Sequence, residues 1–335
     1  VDQISKPRDW RGVSILERQH YMANSMHVNH PDFVLAANEI RRRSLRCENE
    51  NTGAGILVLA PSGAGKTHLC RFLKSRWPDE IGDAITRVPV VKFDIPPSPS
   101  DRSMGRAMLA AMGDPTWNIG TAIELDSRIR TLLPKIGTKV ILVDNVHDVP
   151  DRRGARGIQL IGNWIRNLIE ASKRTVVLLG TSAATPIVYS NSQLRRRTVK
   201  QLHIDYFYTN TERHLALFAR FLRHLYASLP LADRPSDLDE SLVREIHYAT
   251  FGIPDYIFQL FIEAVAVALA AGREHLCQED FATAFPLIHK DSLALGLNPF
   301  LPTGPKRPLT QEYEPFFNWF DASNPPLRSP RGVHP

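Results

Sequence analysis

The chain has 335 residues, 43% hydrophobic and 23% charged, with 41 Lys and Arg against 35 Asp and Glu for a net charge of +6. That is enough apolar sequence for a buried core, in one large domain with an appendage or in two domains. No apolar run reaches the about 18 residues that a membrane helix requires, and the charged N-terminal residues lack a hydrophobic signal core. Three cysteines without metal-ligand spacing (Cys47, Cys70, Cys277) fit a reducing compartment, so the expectation is a cytoplasmic protein with no membrane partner. The small basic excess permits a polyanionic partner without requiring one.

Residues 1–50 read as a polar, mostly helical extension in which Phe33, Ala36, Ala37 and Ile40 recur at helical spacing. A turn follows at 48–55, and from Ile56 apolar strands alternate with helices. The strands are expected at Ile56–Ala60, Val88–Asp94, Lys139–Asp144, Thr175–Gly180 and Gln201–Ile204. The helices between them are expected near Gly65–Arg76, Arg102–Met112, Ala122–Leu133 and Gly157–Ser172. Such alternation implies a parallel sheet covered by helices, here over residues 51–206. After Asp205 only helical patterns continue, so 207–298 reads as a small all-α lid. Residues 299–335 hold nine of the 25 prolines and read as an extended tail. Its aromatic residues (Tyr313, Phe316, Phe317, Trp319, Phe320) either dock on the chain's own body, the favoured reading, or form a short partner motif.

The stretch APSGAGKT, residues 60–67, follows a buried strand and opens a helix. Glycines at 63 and 65 let the backbone turn tightly so that its N–H groups face a phosphate, and the helix N-terminus adds a favourable dipole. The expected nucleotide contacts are Pro61, Ser62, Gly63, Ala64, Gly65, Lys66, Thr67 and His68, with Lys66 reaching the β- and γ-phosphates. Ala60 stands where this motif has its first glycine. The strand VILVD ends in Asp144, which faces the same crevice and, with the Thr67 hydroxyl, is expected to hold Mg²⁺. Asn145 follows it. A glutamate there would take the proton of an attacking water, whereas an amide orients a water without taking its proton at neutral pH. Two readings stay open: hydrolysis is slow, or a nearby group such as Asp148 is the base. Thr181, at the end of the fourth strand, is suited to bond the γ-phosphate or the attacking water. From the triplet Arg195–Arg197, Arg196 and Arg197 are candidates to reach a neighbouring subunit's γ-phosphate.

With these motifs, the run from His30 to about Pro299 resembles AAA+ ATPases of the TniB/TnsC/MuB type, the ATP-dependent regulators of bacterial DNA transposition. VNHPDFVLAANEIRRRSL is similar to the His-Pro segment before the core of that group. APSGAGKTHL, VILVDNVHDV, VVLLGTSAA and QLRRRT occupy the Walker A, Walker B, sensor 1 and arginine-finger slots in order. The resemblance implies a fold: an α/β AAA+ P-loop core with a five-stranded parallel sheet, a small all-α lid and the Pro-rich tail. It implies ATP and Mg²⁺ as cofactors. As partners it implies double-stranded DNA, further copies of the chain in a head-to-tail ring or filament, a transposase, and a target-selection protein of the TniQ type. Related proteins project a loop into a central channel after the second strand, which makes Ser98, Arg102 and Arg106 candidate DNA contacts. Arg152, Arg153 and Arg156 are a second set. The chain departs from the family pattern at Asn145, where glutamate is usual, and at Asp255, near the place of a sensor 2 arginine. Two rival functions remain: a helicase-loader or clamp-loader-like remodelling ATPase, which needs brisk hydrolysis, and a nucleotide-switched signalling scaffold without DNA binding.

Overall fold

The structure is a computed structural model and describes residues 10–24, 26, 28, 30–82, 85–233, 238–289 and 296–319, without the side chains of 149–153. In chain order the elements begin with α1 (Ile15–Asn24), α2 (Pro31–Glu50), β1 (Ala54–Leu59), α3 (Lys66–Arg76), β2 (Val90–Asp94), α4 (Asp101–Ala111) and α5 (Ala122–Lys135). They continue with β3 (Val140–Asp144), α6 (Asp148–Ser172), β4 (Thr175–Gly180), α7 (Thr185–Tyr189), α8 (Ser192–Arg197) and β5 (Thr198–His203). The last helices are α9 (Glu212–Ser228), α10 (Glu240–Thr250), α11 (Pro254–Ala270) and α12 (Gln278–Ile288). The described residues form two compact units, one of Pro31–Asp205 and one of Tyr206–Trp319 with the described residues up to His30. The first fifty residues are thus shared: α1 belongs with the helical unit and α2 with the sheet.

In the sheet unit, β1, β3 and β4 are buried at every residue. Their near-continuous apolar runs are what strands covered on both faces require. All pairings are parallel, in the order β2-β3-β4-β1-β5. Apart from Asp144 at the end of β3 and Thr175 at the start of β4, the polar strand residues lie on the edge strands, Lys92 and Asp94 on β2 and Lys200 and His203 among those on β5. Helices close the core with Met104, Met108, Leu125, Ile129 and Ile165. Each such side chain contributes about 1.5–3 kcal/mol by leaving water. On α2 the expected stripe of Phe33, Ala36, Ala37 and Ile40 is buried throughout. Reciprocal caps between Ser100 and Ser103, and between Thr121 and Glu124, give α4 and α5 sharp starts. A break at Gly154 (φ 55, ψ −153) interrupts α6.

Backbone bonds just past the strand ends lock the sheet's C-terminal edge. Ala60 N–H donates to Gly180 O at 2.8 Å, Ile95 N–H to Asp144 O at 3.2 Å, Val146 N–H to Leu179 O at 3.0 Å and Ile204 N–H to Leu59 O at 2.9 Å. This edge carries the phosphate loop, Asp144 and Thr181, so their spacing is fixed by the sheet rather than by flexible loops.

In the helical unit, α1 packs on α11, and buried Arg18 ties the two ends of the unit together. Its guanidinium meets Glu274 at 2.7 Å and the Pro230 carbonyl at 2.9 Å, and also bonds the Trp10 carbonyl. Among the described residues no strand follows β5, and no single helix is long and apolar enough to cross a membrane. Residues 296–319 form turns without helix or strand. They pack on the unit through Phe300, Leu309 and Phe316, all buried. Phe316 stacks on Phe251 with centroids 5.6 Å apart, and Trp319 Nε1–H donates to the Tyr206 hydroxyl at 2.9 Å. Over its described part the proline-rich tail therefore docks on the chain's own body, while Phe320 lies outside the described residues.

Two elements start earlier than the sequence pattern suggests: α6 begins at Asp148 rather than Gly157, because Gly154 only breaks the helix rather than preceding it, and β5 begins at Thr198 rather than Gln201. An exposed edge strand needs no clean apolar alternation, so TVK gives no strand signal. The arginine triplet lies in α8, directly before that strand.

Candidate nucleotide-binding site

The loop between β1 and α3 turns through two left-handed glycines, Gly63 (φ 72) and Gly65 (φ 98). At Gly65 glycine is required twice over: the backbone is left-handed, and a Cβ would lie 2.5 Å from the Phe33 ring. Pro61 and Ala64 are buried and bonded to each other, Ala64 N–H to Pro61 O at 3.2 Å, which sets the curve of the loop. Ser62 and Thr67 are exposed, and Gly63 is half-buried. His68 stacks on Phe33 with centroids 5.5 Å apart. No side chain caps α3, so its first N–H groups face the loop without an intrahelical partner. The Lys66 ammonium folds back on the loop, donating to Ala60 O at 2.8 Å and Pro61 O at 3.1 Å. Burial pushes its pKa down to about 8, opposed by the charge of Asp144. A cation and an uncapped helix start around one turn are the elements from which an anion site is built.

Asp144 is 4% exposed at the end of β3. Its Oδ1 accepts the Asn145 N–H at 2.9 Å, and its Oδ2 lies 3.2 Å from the Lys92 ammonium. Asn145 has left-handed backbone (φ 56), a conformation that asparagine tolerates better than most residues. Asp148, the alternative base, starts α6 and lies 3.6 Å from His147 Nε2. Lys92 escaped the sequence reading because a single lysine in the strand VVKFD carries no motif. The only trace in the sequence is the polar spacing Lys92–Asp94 at the end of the second expected strand, and its meaning depends on the ladder that sets β2 beside β3.

Thr181 is 3% exposed, and its Oγ1 is buried without a hydrogen-bond partner among the described residues. A buried hydroxyl left unsatisfied at this edge fits a phosphate oxygen or a water. The three arginines of α8 differ in their commitments. Arg195 lies over the Tyr189 ring at 5.0 Å, and Arg197 pairs with Glu170 at 2.9 Å. Arg196 is exposed, with no partner among the described residues.

The candidate DNA contacts are brought together only in part. Arg102 Nε–H donates to Gly120 O at 3.0 Å, and Arg106 donates to Asn118 O at 2.6 Å. Both therefore brace the loop between α4 and α5, with help from Arg128, whose guanidinium bonds the carbonyls of Thr116 and Ile119 at 2.8 Å each. The Ser98 carbonyl accepts the Ser103 hydroxyl at 2.9 Å in the cap of α4. Arg156 is exposed on α6 beyond the Gly154 break. The side chains of Arg152 and Arg153 lie outside the described residues. In the helical unit Asp255 is exposed in the first turn of α11, where its carboxylate accepts from Gln259 at 3.1 Å.

A family model for the bacterial TniB protein matches residues 18–208, more than half of the chain. No curated protein matches it. Among solved structures, the chain is similar to the Aeropyrum pernix ORC2 protein in its ADPNP–ADP complexes, with a TM-score of 0.55 at 15% identity. That match covers 75% of this chain and 66% of the other, just under two thirds. It is also similar to the Aeropyrum pernix ORC1 protein in complex with DNA, with a TM-score of 0.53 at 16% identity over 85% of this chain and 72% of that one. Cdc6p from Pyrobaculum aerophilum gives a TM-score of 0.53 at 16% identity over 79% and 70% of the two chains. At such identities the likeness establishes the AAA+ fold. Together with the phosphate loop, the buried Asp144 and the family match that spans them, it identifies the chain as a member of the bacterial TniB family.

Proposed function

We propose that the chain binds ATP with Mg²⁺, assembles head to tail on double-stranded DNA in that state, and marks a transposition target for a transposase and a TniQ-type partner. The observation that carries this reading is the TniB family match over residues 18–208, which takes in the phosphate loop, Asp144, Thr181 and the α8 arginines. The uncapped amides of α3 and the Lys66 ammonium bind the phosphates. The Thr67 hydroxyl and the Asp144 carboxylate are the oxygen donors that would hold magnesium, which neutralises charge on the phosphates when bound. Thr181 Oγ1 bonds the γ-phosphate or the attacking water. Asn145 orients that water without taking its proton, so turnover is slow and the assembled state is long-lived.

Arg196 is the arginine that reaches a neighbouring subunit, because Arg195 and Arg197 are engaged within their own chain. DNA is held through its phosphates by Arg156, Arg152 and Arg153, and around the start of α4 by Ser98 and by the guanidinium N–H groups of Arg102 and Arg106 that Gly120 and Asn118 do not engage. Backbone contacts of this kind are indifferent to base sequence. Slow hydrolysis speaks against the rival remodelling ATPase. The test is electron microscopy of the protein with duplex DNA and a non-hydrolysable ATP analogue. Ordered assemblies are expected with the analogue and absent without it. DNA decorated equally in both conditions would overturn the reading.

A further inference from the structure

Asp144 has two oxygens, and both are engaged. Oδ1 accepts the N–H of Asn145, the next residue in its own turn, at 2.9 Å. Oδ2 faces the Lys92 ammonium at 3.2 Å. The first contact is part of the backbone and cannot leave without rebuilding the turn. The second comes from a side chain on a flexible four-carbon stem. That stem has another partner already in reach: Lys92 Nζ lies 2.6 Å from Asp94 Oδ1. Lys92 and Asp94 are two residues apart on β2 and so share a face. Asp94 is itself paired in register with Asp144 across the β2–β3 ladder. The two carboxylates differ in exposure. The Asp144 side chain is 5% exposed and that of Asp94 is 54% exposed.

We infer that Lys92 is a positioning residue for the metal of the nucleotide: its ammonium serves as the counter-ion of Asp144 Oδ2 until a magnesium–nucleotide enters, and then shifts onto Asp94. This rests on the nucleotide-binding reading of the same site. A buried carboxylate without a counter-charge is costly. The other cation of the site, Lys66, acts on Asp144 through its charge but directs its hydrogen bonds to Ala60 O and Pro61 O. Lys92 is the cation within ion-pair distance of Asp144 among the described residues. A divalent cation drawn to the same carboxylate repels the ammonium, so Lys92 has to yield. Asp94 allows it to yield without becoming an unpaired charge. The strands do not depend on Lys92 for cohesion, since the β2–β3 ladder runs from Val90 to Asp94 and is extended by the Ile95 N–H to Asp144 O bond. The exchange also occurs one residue before that bond, at the base of the segment leading into α4.

The test measures affinity for a fluorescent ATP analogue in magnesium and in EDTA, for the parent, Lys92→Met and Asp94→Asn. The quantity is the gain in affinity that magnesium brings. Lys92→Met removes both the stand-in cation and the competitor, so that gain should rise on the order of five- to tenfold, the size of a partly screened charge pair. Asp94→Asn removes the alternative partner and holds Lys92 on Asp144, so the gain should fall by a similar factor. Asp94 is largely exposed, and Asp94→Asn decides by its sign even if Lys92→Met does not fold. Shifts in the same direction, or unchanged gains in a parent that binds the analogue, overturn the role of Lys92 alone. A parent that binds no analogue overturns the nucleotide reading and this inference with it.

Discussion

The Phe33 ring fills the space that a side chain on Gly65 would need, with Phe33 Cζ 2.5 Å from the position of a Cβ there. Phe33 sits in the first turn of α2 and also stacks on His68, so α2 braces the phosphate loop at two points. Gly65→Ala therefore incurs a left-handed backbone cost of roughly 1–2 kcal/mol in addition to the clash. Its ATP affinity should fall by more than about tenfold, measured by calorimetric titration, with Gly65→Ala/Phe33→Ala recovering only the steric share. Parent-like affinity in the single variant would contradict this geometry.

Lys66 gives the site a pH dependence of defined sign. Burial lowers its pKa to about 8 in the folded, nucleotide-free protein, below the ordinary lysine value of 10.5. Between these values the unfolded chain holds a proton that the folded chain has released, so this group's contribution to stability increases as pH rises through that window and is lost as pH falls through about 8. Phosphate binding favours the charged ammonium. ATP affinity should therefore decline above about pH 8, approaching about tenfold per pH unit at the limit. Lys66→Ala should bind weakly at every pH without that decline. A flat profile in the parent would contradict the burial of Lys66.

The α8 arginines should separate cleanly. Arg196→Ala should reduce ATP turnover of the DNA-bound assembly by about 10³-fold or to the detection floor, as loss of an arginine acting in trans does, while leaving nucleotide binding by the isolated subunit unchanged. Arg195→Ala and Arg197→Ala lose contacts with Tyr189 and Glu170 and should change turnover far less. Equal effects at all three positions would mean that the triplet acts only through its total charge.

Much of this was legible in the sequence for physical reasons. VILVD, TVVLLG and ILVL are the runs that doubly covered parallel strands must have, and Phe33, Ala36, Ala37 and Ile40 repeat at the helical period. The Gly-Lys-Thr triplet between strand and helix locates the phosphate site. What stayed hidden depends on tertiary partners. Three adjacent arginines look alike until Tyr189 and Glu170 are seen to occupy two of them. Arg102 and Arg106 look like free cations until Gly120 and Asn118 accept from them. Lys92 is silent until the ladder sets β2 beside β3. The left-handed backbone of Asn145, which bears on why an asparagine is suited to that position, leaves no trace in composition or spacing.

The tail should be part of the stability of the helical unit. Phe316 is 1% exposed among Phe251, Tyr256 and His289, whereas Tyr313 is 80% exposed. Phe316→Ala should cost about 3–5 kcal/mol, read from chemical denaturation, and Tyr313→Ala should stay within about 0.5 kcal/mol of the parent. Equal, small effects would mean that the docked tail adds nothing to the fold.

Asn145→Glu should raise ATP turnover by about 10²–10⁴-fold and shorten the lifetime of DNA-bound assemblies after free ATP is removed. The same change puts a less tolerant residue on left-handed backbone (φ 56), so the melting temperature should drop slightly. If neither turnover nor lifetime changes, another group is the base, and Asp148 beside His147 is the next to substitute.

The most direct measurement of the central claim is filter binding of duplex DNA to the parent and to Lys66→Ala, each with and without a non-hydrolysable ATP analogue, across a salt series. Tight binding is predicted only for the parent with the analogue, insensitive to DNA sequence, with log affinity falling linearly as log salt rises. DNA binding by Lys66→Ala that equals the parent's in the presence of the analogue would contradict the coupling of nucleotide to DNA.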